Sequence, residues 1–269
     1  MATRIVGVLN VTPDSFSDGG RFSSVQDAVA AGLAMVADGA DWIDVGGEST
    51  RPGSVPVPEA EEIARVVPVI RGLAKHLTGT VRISVDTYKA ATARAALAEG
   101  ATAVNDVSGG WLDPEILGVT AASGAAIVLG HLRGKPADMQ SSVHFDDVVD
   151  EVAHELGSRV AAVRAAGCGE VWADPGIGFG KHLDHNLGLL KYLASLRVRL
   201  GVPIMVGVSR KRFIGDLTGK PATERIFGTA AAVAAAIMNG ADAVRVHDVA
   251  AMRDVVRVAE AIACARELD

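Results

Sequence analysis

Ten polar residues of this 269-residue chain stand at or just past the ends of short apolar runs: Asn10, Glu48, Asp86, Asn105, Asp106, His131, Asp174, Lys211, Arg245 and His247. Carboxylates and amides from several runs suit a heterocycle with N–H donors and a carbonyl. Lys211, Arg245 and the neighbouring Arg210 and Arg51 suit an anion. A ligand that is both amide-like and phosphorylated satisfies the whole set. The stretch VWADPGIGFGK, residues 171–181, concentrates the signal. Asp174 ends a buried run and leads into a turn rich in glycine. Such a carboxylate needs a donor, which a ligand could supply; the plainer reading is an Asp that caps the next helix. Other chemistries fit poorly. There is no Cys or His cage for a metal, and His182 with His185 reads as an exposed helix start. The chain has no G-x-S-x-G elbow, which disfavours Ser–His–Asp hydrolysis.

Eight alternations of strand and helix must place these residues. Strands are expected over 5–9, 42–45, 81–85, 103–104, 125–129, 171–173, 203–208 and 243–246. Helices are expected over 24–37, 59–77, 89–99, 114–124, 146–166, 184–200, 223–239 and 249–265. The strands are short and apolar on both faces, as parallel sheets require. The expected fold is α/β: a (β/α)8 TIM barrel over residues 1–269, read as one domain because no linker or composition shift divides it. In such a barrel all the strand C-termini share one rim, where active sites form. A doubly wound sheet is the runner-up. No G-x-G-x-x-G follows the first strand, and GDLTGK at 215–220 has the wrong spacing for a P-loop.

Composition narrows the class. Hydrophobic residues make up 49% and aromatics 4%, with 30 glycines, an aliphatic core of the kind α/β enzymes use. A net charge of −6 without a basic block argues against nucleic acid. Cys168 and Cys264 share no redox or metal spacing, so reduced thiols in a cytoplasmic protein are expected. Arg4 leads straight into IVGVLN, too short for the core of a signal peptide. The most apolar run, 230–238, is far too short to span a bilayer. The segment GTAAAVAAAIMNG, 228–240, is apolar nearly all round. A barrel helix facing water should be polar on one side, so a homodimer is expected unless neighbouring helices cover it.

The motifs NVTPDSFSDGG, GGESTRPG, SVDTYK, NDVSGG, DPGIGFGK, SRKRFIG and RVHDV occur in that order between residues 10 and 249. They resemble the successive motifs of the dihydropteroate synthase family, over nearly the whole chain. The resemblance implies a transferase of folate biosynthesis and a target of sulfonamides. It would condense 6-hydroxymethyl-7,8-dihydropterin diphosphate with para-aminobenzoate to give 7,8-dihydropteroate and diphosphate, by dissociative substitution at the pterin methylene. It assigns Asp86, Asn105, Asp174, Lys211 and Arg245 to the pterin, with Asp86, Asp174, Lys211 and Arg245 catalytic. Asn10, Thr50, Arg51, Arg245 and His247 would hold the diphosphate. Asn10 and Asp18 would hold Mg2+. Phe16, Arg51, Pro52, Phe179, Lys211 and Arg212 would bound the aminobenzoate. Two positions depart from the family. Gly130 stands where Met is frequent, which would widen the pterin floor or leave it to be filled from elsewhere. Arg212 stands where some relatives carry Ser. The competing expectation is a pterin-binding domain that serves a methyl-transfer partner. It would have no use for NVTPDSFSDGG and STRPG. The same loops argue against a paralogue that has lost activity.

Overall fold

The computed structural model describes residues 2–12, 24–50, 53–77, 79–135, 137–141 and 143–265. Eight parallel strands form one sheet: β1 (Arg4–Asn10), β2 (Trp42–Gly46), β3 (Arg82–Asp86), β4 (Ala103–Asp106), β5 (Ala126–Gly130), β6 (Val171–Asp174), β7 (Met205–Gly207) and β8 (Ala243–Val246). Their order is β6-β5-β4-β3-β2-β1-β8-β7. A parallel bridge between Ala173 and Ile204 joins the two ends, so the sheet closes into the expected barrel.

Ten α-helices follow the strands among the described residues: α1 (Val25–Ala37), α2 (Glu59–Ala74), α3 (Ala90–Ala98), α4 (Glu115–Ser123), α5 (Val148–Ala165), α6 (Leu183–Lys191), α7 (Leu193–Leu200), α8 (Arg212–Thr218), α9 (Ile226–Met238) and α10 (Val249–Ala263). Local chemistry sets several ends. Ser24 caps α1 by accepting from the Asp27 N–H, and the Asp147 carboxylate accepts two N–H groups at the start of α5. Gly124 closes α4 at φ 71°. Two features of the helices differ from the sequence expectation. The helix expected over 184–200 is broken at Tyr192, whose φ/ψ of −108°/24° leaves the helical region. The short α8 was not anticipated, because its seven residues carry too little periodicity to register.

Two apolar layers hold the barrel. The outer one lies between strands and helices and contains most of the buried aliphatic side chains. The inner one sits at the lower end of the lumen: Val6, Trp42, Ala103, Ala126, Val128, Trp172, Met205 and Ala243. Trp42 and Trp172 meet edge to face with ring centroids 5.5 Å apart, and the Arg82 guanidinium lies 4.8 Å above Trp42. Strand side chains alternate between the two layers with period two. The next inward positions above this floor are therefore Asp44, Ser84 and Asn105. Asp44 stands opposite Ser84 in register, and Asp86 opposite Asn105. The strands are thus not apolar on both faces, contrary to the expectation from their composition. Half-way up the barrel the inner face turns polar.

No helix among the described residues is long and apolar enough to cross a membrane. The Trp pair packs edge to face at the lower end of the lumen. Trp42→Ala is expected to cost ~3–5 kcal/mol of stability, read as a lower urea midpoint at unchanged slope.

Candidate active site

The inward face of β2 starts the site. Asp44, fully buried, accepts hydrogen bonds from Ser84 Oγ at 2.6 Å, Asn105 Nδ2 at 2.9 Å and Arg245 Nε at 2.6 Å. A second guanidinium nitrogen of Arg245 donates to Asp86 Oδ2 at 2.7 Å. Arg245 on β8 therefore bridges carboxylates from β2 and β3. Because a carboxylate can only accept, Asn105 must turn its NH2 toward Asp44. Its oxygen is the atom left to meet a ligand.

Above this layer a cleft opens at the C-terminal ends of the strands. It is lined by Asp86, Asn105, Asp174, Lys211 and Arg245, with Thr50, Val107, Gly130, Gly176, Phe179 and Gly207 completing its walls. One oxygen of Asp174 accepts the Gly176 N–H at 2.7 Å. Lys211 donates to the Ile177 carbonyl, and its ammonium lies 4.3 Å from the centre of the Phe179 ring. The Gly176 backbone is at φ +70°, and a Cβ there would fall 1.9 Å from the His131 carbonyl oxygen. Only glycine fits that turn.

Burial dominates the electrostatics. It raises the Asp174 pKa, opposed first by the charge of Lys211. It lowers Lys211 to about 8, with Asp174 opposing. Burial would also lower Arg245, but Asp44 and Asp86 outweigh it and keep the guanidinium charged. For Asp86, burial raises the pKa to about 7; Arg245 pulls it down, while Asp44 pushes it further up.

The polar strand ends divide into two groups. Asp86, Asn105, Asp174, Lys211 and Arg245 are brought together, as expected from the sequence. Thr50 reaches the same cleft. Asn10 ends β1, in register with Gly46, which in turn stands opposite Asp86. His247 is anchored by Ser209, whose hydroxyl meets both its backbone N–H and its Nδ1. Phe16, Asp18, Arg51 and Pro52 lie outside the described residues.

The second group serves the loops. Asp106 accepts from the Ser108 N–H and hydroxyl at 2.8 Å and shapes the turn after β4. Glu48 accepts from Lys89, Tyr88 and the Val57 N–H. His131 is fully buried between Glu155 and Lys181; burial, reinforced by the Lys181 charge, lowers it to about 3. His182 caps α6 reciprocally with His185, the helix-start reading of that pair.

Two arginines need correction. Arg210, expected to face an anion, pairs instead with Asp248 through Nε at 3.0 Å and through a second nitrogen. That pair and the Thr229 hydroxyl hold Arg210 at φ +58°, just before Lys211. Arg212, assigned to the aminobenzoate, turns away. Its side chain is 82% exposed on α8 and faces Asp216 at 3.5 Å, one helical turn on. Gly130 also has an explanation. A Cβ at this position would lie 2.5 Å from the Val107 carbonyl oxygen, so the Val107 backbone occupies the space that Met would fill. The floor is filled from elsewhere.

Two buried residues were missed. Asp44 could have been found as the one charge between Ile43 and Val45 in an otherwise apolar run. Lys181, 3% exposed, ends the glycine-rich turn after β6; nothing in its local sequence distinguishes it from a surface lysine.

A (β/α)8 barrel that gathers carboxylates, an amide and two cations at the C-terminal rim has the architecture of an enzyme for a small polar ligand. Comparison with known proteins makes the class specific. The profile of the family described as pterin binding enzyme matches residues 6–247. The dihydropteroate synthase of Synechocystis sp. is 45% identical over 263 residues, covering 97% of this chain and 90% of that protein. The Yersinia pestis dihydropteroate synthase, solved with a sulfonamide drug complex, superposes with a TM-score of 0.92 at 39% identity, covering 98% of this chain and 95% of that one. The Xanthomonas albilineans enzyme in complex with 7,8-dihydropteroate gives 0.86 at 41% identity, with 98% and 95% covered. This chain belongs to the pterin-binding enzyme family.

The raised Asp86 pKa sets a stability trend. The unfolded carboxyl ionises near its ordinary 3.8 and the folded one near 7. Between these values the folded state binds the extra proton, so this residue's contribution to stability falls as pH rises. Asp86→Asn removes the titration. Urea unfolding at pH 5 and pH 7 should show the variant gaining on wild type at the higher pH; an equal difference at both would contradict it.

Proposed function

We propose that this chain acts as a dihydropteroate synthase, a transferase that joins 6-hydroxymethyl-7,8-dihydropterin diphosphate to para-aminobenzoate in folate biosynthesis. The observation that carries the reading is the cleft floor. Asp174 and Asn105 present acceptors from β6 and β4, and the Lys211 and Arg245 cations stand beside them. The pterin 2-amino group and N3–H form a two-donor edge that matches the Asp174 carboxylate. Asn105, its amide nitrogen committed to Asp44, offers an oxygen to a ring N–H. Lys211 donates to the 4-oxo group. Arg245 lays its planar guanidinium along the ring, held flat by Asp44 and Asp86.

The diphosphate belongs with Asn10, Thr50, Arg51, Arg245 and His247. A magnesium ion fits the donor chemistry of this corner: the Asn10 amide oxygen is a hard ligand, and Mg2+ needs only one or two protein groups when phosphate and water complete its shell. Asp18 would be the second. When bound, the ion would neutralise charge on the leaving diphosphate. Among the described residues no group of three or more His, Cys, Asp or Glu could hold a metal alone.

Departure of diphosphate leaves positive charge spread into the pterin. The Asp174 carboxylate and the ionised form of Asp86, already in place, stabilise it without reorganising. The neutral aromatic amine then attacks the methylene carbon, and the N–H proton it sheds passes to the released diphosphate or to water. Phe179 and Lys211, with Phe16, Arg51 and Pro52, bound its slot, where a sulfonamide would compete. Arg212 contributes through its backbone N–H at the start of α8 rather than through its guanidinium. The cysteines, Cys168 buried and Cys264 exposed, are unpaired and suit a cytoplasmic setting.

A homodimer completes the proposal. α9 buries Ala232, Val233, Ala236 and Ile237 inward but leaves Phe227 at 86% and Met238 at 51% exposure. Val258 and Ile262 of α10 extend the same apolar groove. A second copy covers this face, since isolated patches of this kind are uncommon on monomers.

Three outcomes check these statements. Diphosphate should be released from the pterin substrate rapidly only when para-aminobenzoate is added; no release in either case would remove the synthase reading. Asp174→Asn puts an N–H donor against a ring N–H and should weaken pterin binding by ~3 kcal/mol or more, read by calorimetry. Light scattering at micromolar concentration should report a dimer, and Val258→Asp should shift it toward monomer.

A further inference from the structure

Lys181 is buried beneath the cleft, and the proposed mechanism makes no use of it. Its ammonium has three hydrogen-bond partners: the Phe179 carbonyl at 3.0 Å, the His131 carbonyl at 3.3 Å and His131 Nδ1 at 2.9 Å. An ammonium carries three donors, so all are engaged. The partners also set the His131 tautomer. Nδ1 must accept from the ammonium, so Nε2 carries the proton and donates to Glu155 at 3.1 Å. Glu155 is held in turn by Arg133 Nε at 2.9 Å. None of the three partners of Lys181 is a carboxylate. Burying an amine here is costly: desolvation lowers the Lys181 pKa to about 7, with the nearby Asp174 charge the first to oppose it. A position that needed only filling would not keep a lysine.

What the arrangement supports is the loop at residues 175–180. Three of its glycines have left-handed φ values, so it forms no regular ladder, and side chains collect its polar groups. Lys211 takes the Ile177 carbonyl, Asn186 the Gly178 N–H at 2.6 Å and Gln140 the Gly178 carbonyl at 3.3 Å. Lys181 takes the Phe179 carbonyl. The loop lies directly on the Lys181–His131 pair: a Cβ on Gly176 would stand 3.2 Å from Lys181 Nζ as well as against the His131 carbonyl. On the other side of the loop, Phe179 forms a wall of the cleft.

We infer that Lys181 is a positioning residue for the second substrate: its buried ammonium, braced by His131 and Glu155, holds the Phe179 carbonyl and thereby sets the ring that walls the aminobenzoate slot. The inference rests on the assignment of that slot above. Lys181 makes no hydrogen bond to a pterin anchor; it bears on Asp174 only through charge and through the shared loop, whose Gly176 N–H Asp174 accepts. The larger effect should fall on the aminobenzoate, whose wall Lys181 holds directly.

The test is steady-state kinetics on the full chain with Lys181→Met, Lys181→Gln, Phe179→Ala and the Phe179→Ala double variants, beside pterin affinity by calorimetry. Lys181→Met takes the donor from the Phe179 and His131 carbonyls and from His131 Nδ1 and frees the loop, and misplacement of about 1 Å is enough for large kinetic losses. The KM for para-aminobenzoate should rise about 10-fold or more, with the pterin Kd changed by less than about 3-fold. Lys181→Gln, which keeps an N–H donor, should recover part of the loss. In the Phe179→Ala background the Lys181 substitution should add less than about 2-fold, because coupled residues are not additive. An unchanged KM, a parallel loss of pterin affinity, or an undiminished effect without the Phe179 ring would each overturn the inference. If Lys181→Met is not recovered folded, the same cycle with Lys181→Gln decides it. Failure of the synthase reading shows separately, as wild-type protein that releases no diphosphate.

Discussion

The Arg245 guanidinium is held between the Asp44 and Asp86 carboxylates inside a closed barrel. A single charge in that position would be expensive; the three together, with Ser84 and Asn105 supplying further hydrogen bonds, satisfy one another. The contact spans the lumen, because β8 and β3 are separated in the sheet by β1 and β2. Removing one member would leave the others buried and unmatched. The orientation of the Asn105 amide, the direction of the Asp86 carboxylate and the plane of the guanidinium all depend on this one arrangement.

Below it the lumen is plugged by tryptophan and small aliphatic side chains, and above it the cleft begins. The period-two alternation of the strands makes this layering possible without irregular backbone. Inward positions read, from bottom to top, Trp42–Asp44–Gly46 on β2 and Met205–Gly207 on β7. Gly207 at the top of β7 leaves room in the cleft, and Gly46 at the top of β2 faces Asn10 and Asp86. Around the rim the remaining polar groups tie loops down. The Glu48–Lys89 and Glu62–Lys89 pairs fasten the segment after β2 to α2 and the start of α3, and Arg210–Asp248 joins the ends of β7 and β8.

The barrel and its rim were legible because they depend on repetition: eight apolar runs, each ending in a polar residue, imply one face. The lining residues could be named because they sit at those ends. What could not be read is which way each side chain turns. Asp106, His131, Glu48 and Arg210 have the same type and placement as true lining residues, and only three-dimensional partners distinguish them. Asp44 escaped for the opposite reason. It lies in mid-strand, where composition made the run look uniformly apolar and hid the inward polar layer. Arg212 shows a third limit. One residue beyond Lys211 the chain has already entered a helix, and that rotation carries the guanidinium to solvent.

Gly130 has a bearing on inhibition and its evasion. In this chain one wall of the cleft is peptide backbone, because Val107 is packed into the space a side chain at 130 would need. Rotation cannot enlarge that wall for a bulkier ligand. A substitution at 107 would exchange the side chain and leave the peptide where it is. Compounds that derive their affinity from this surface would therefore meet a boundary that single codon changes reshape poorly. Contacts made to side chains on the exposed loops would be easier to lose.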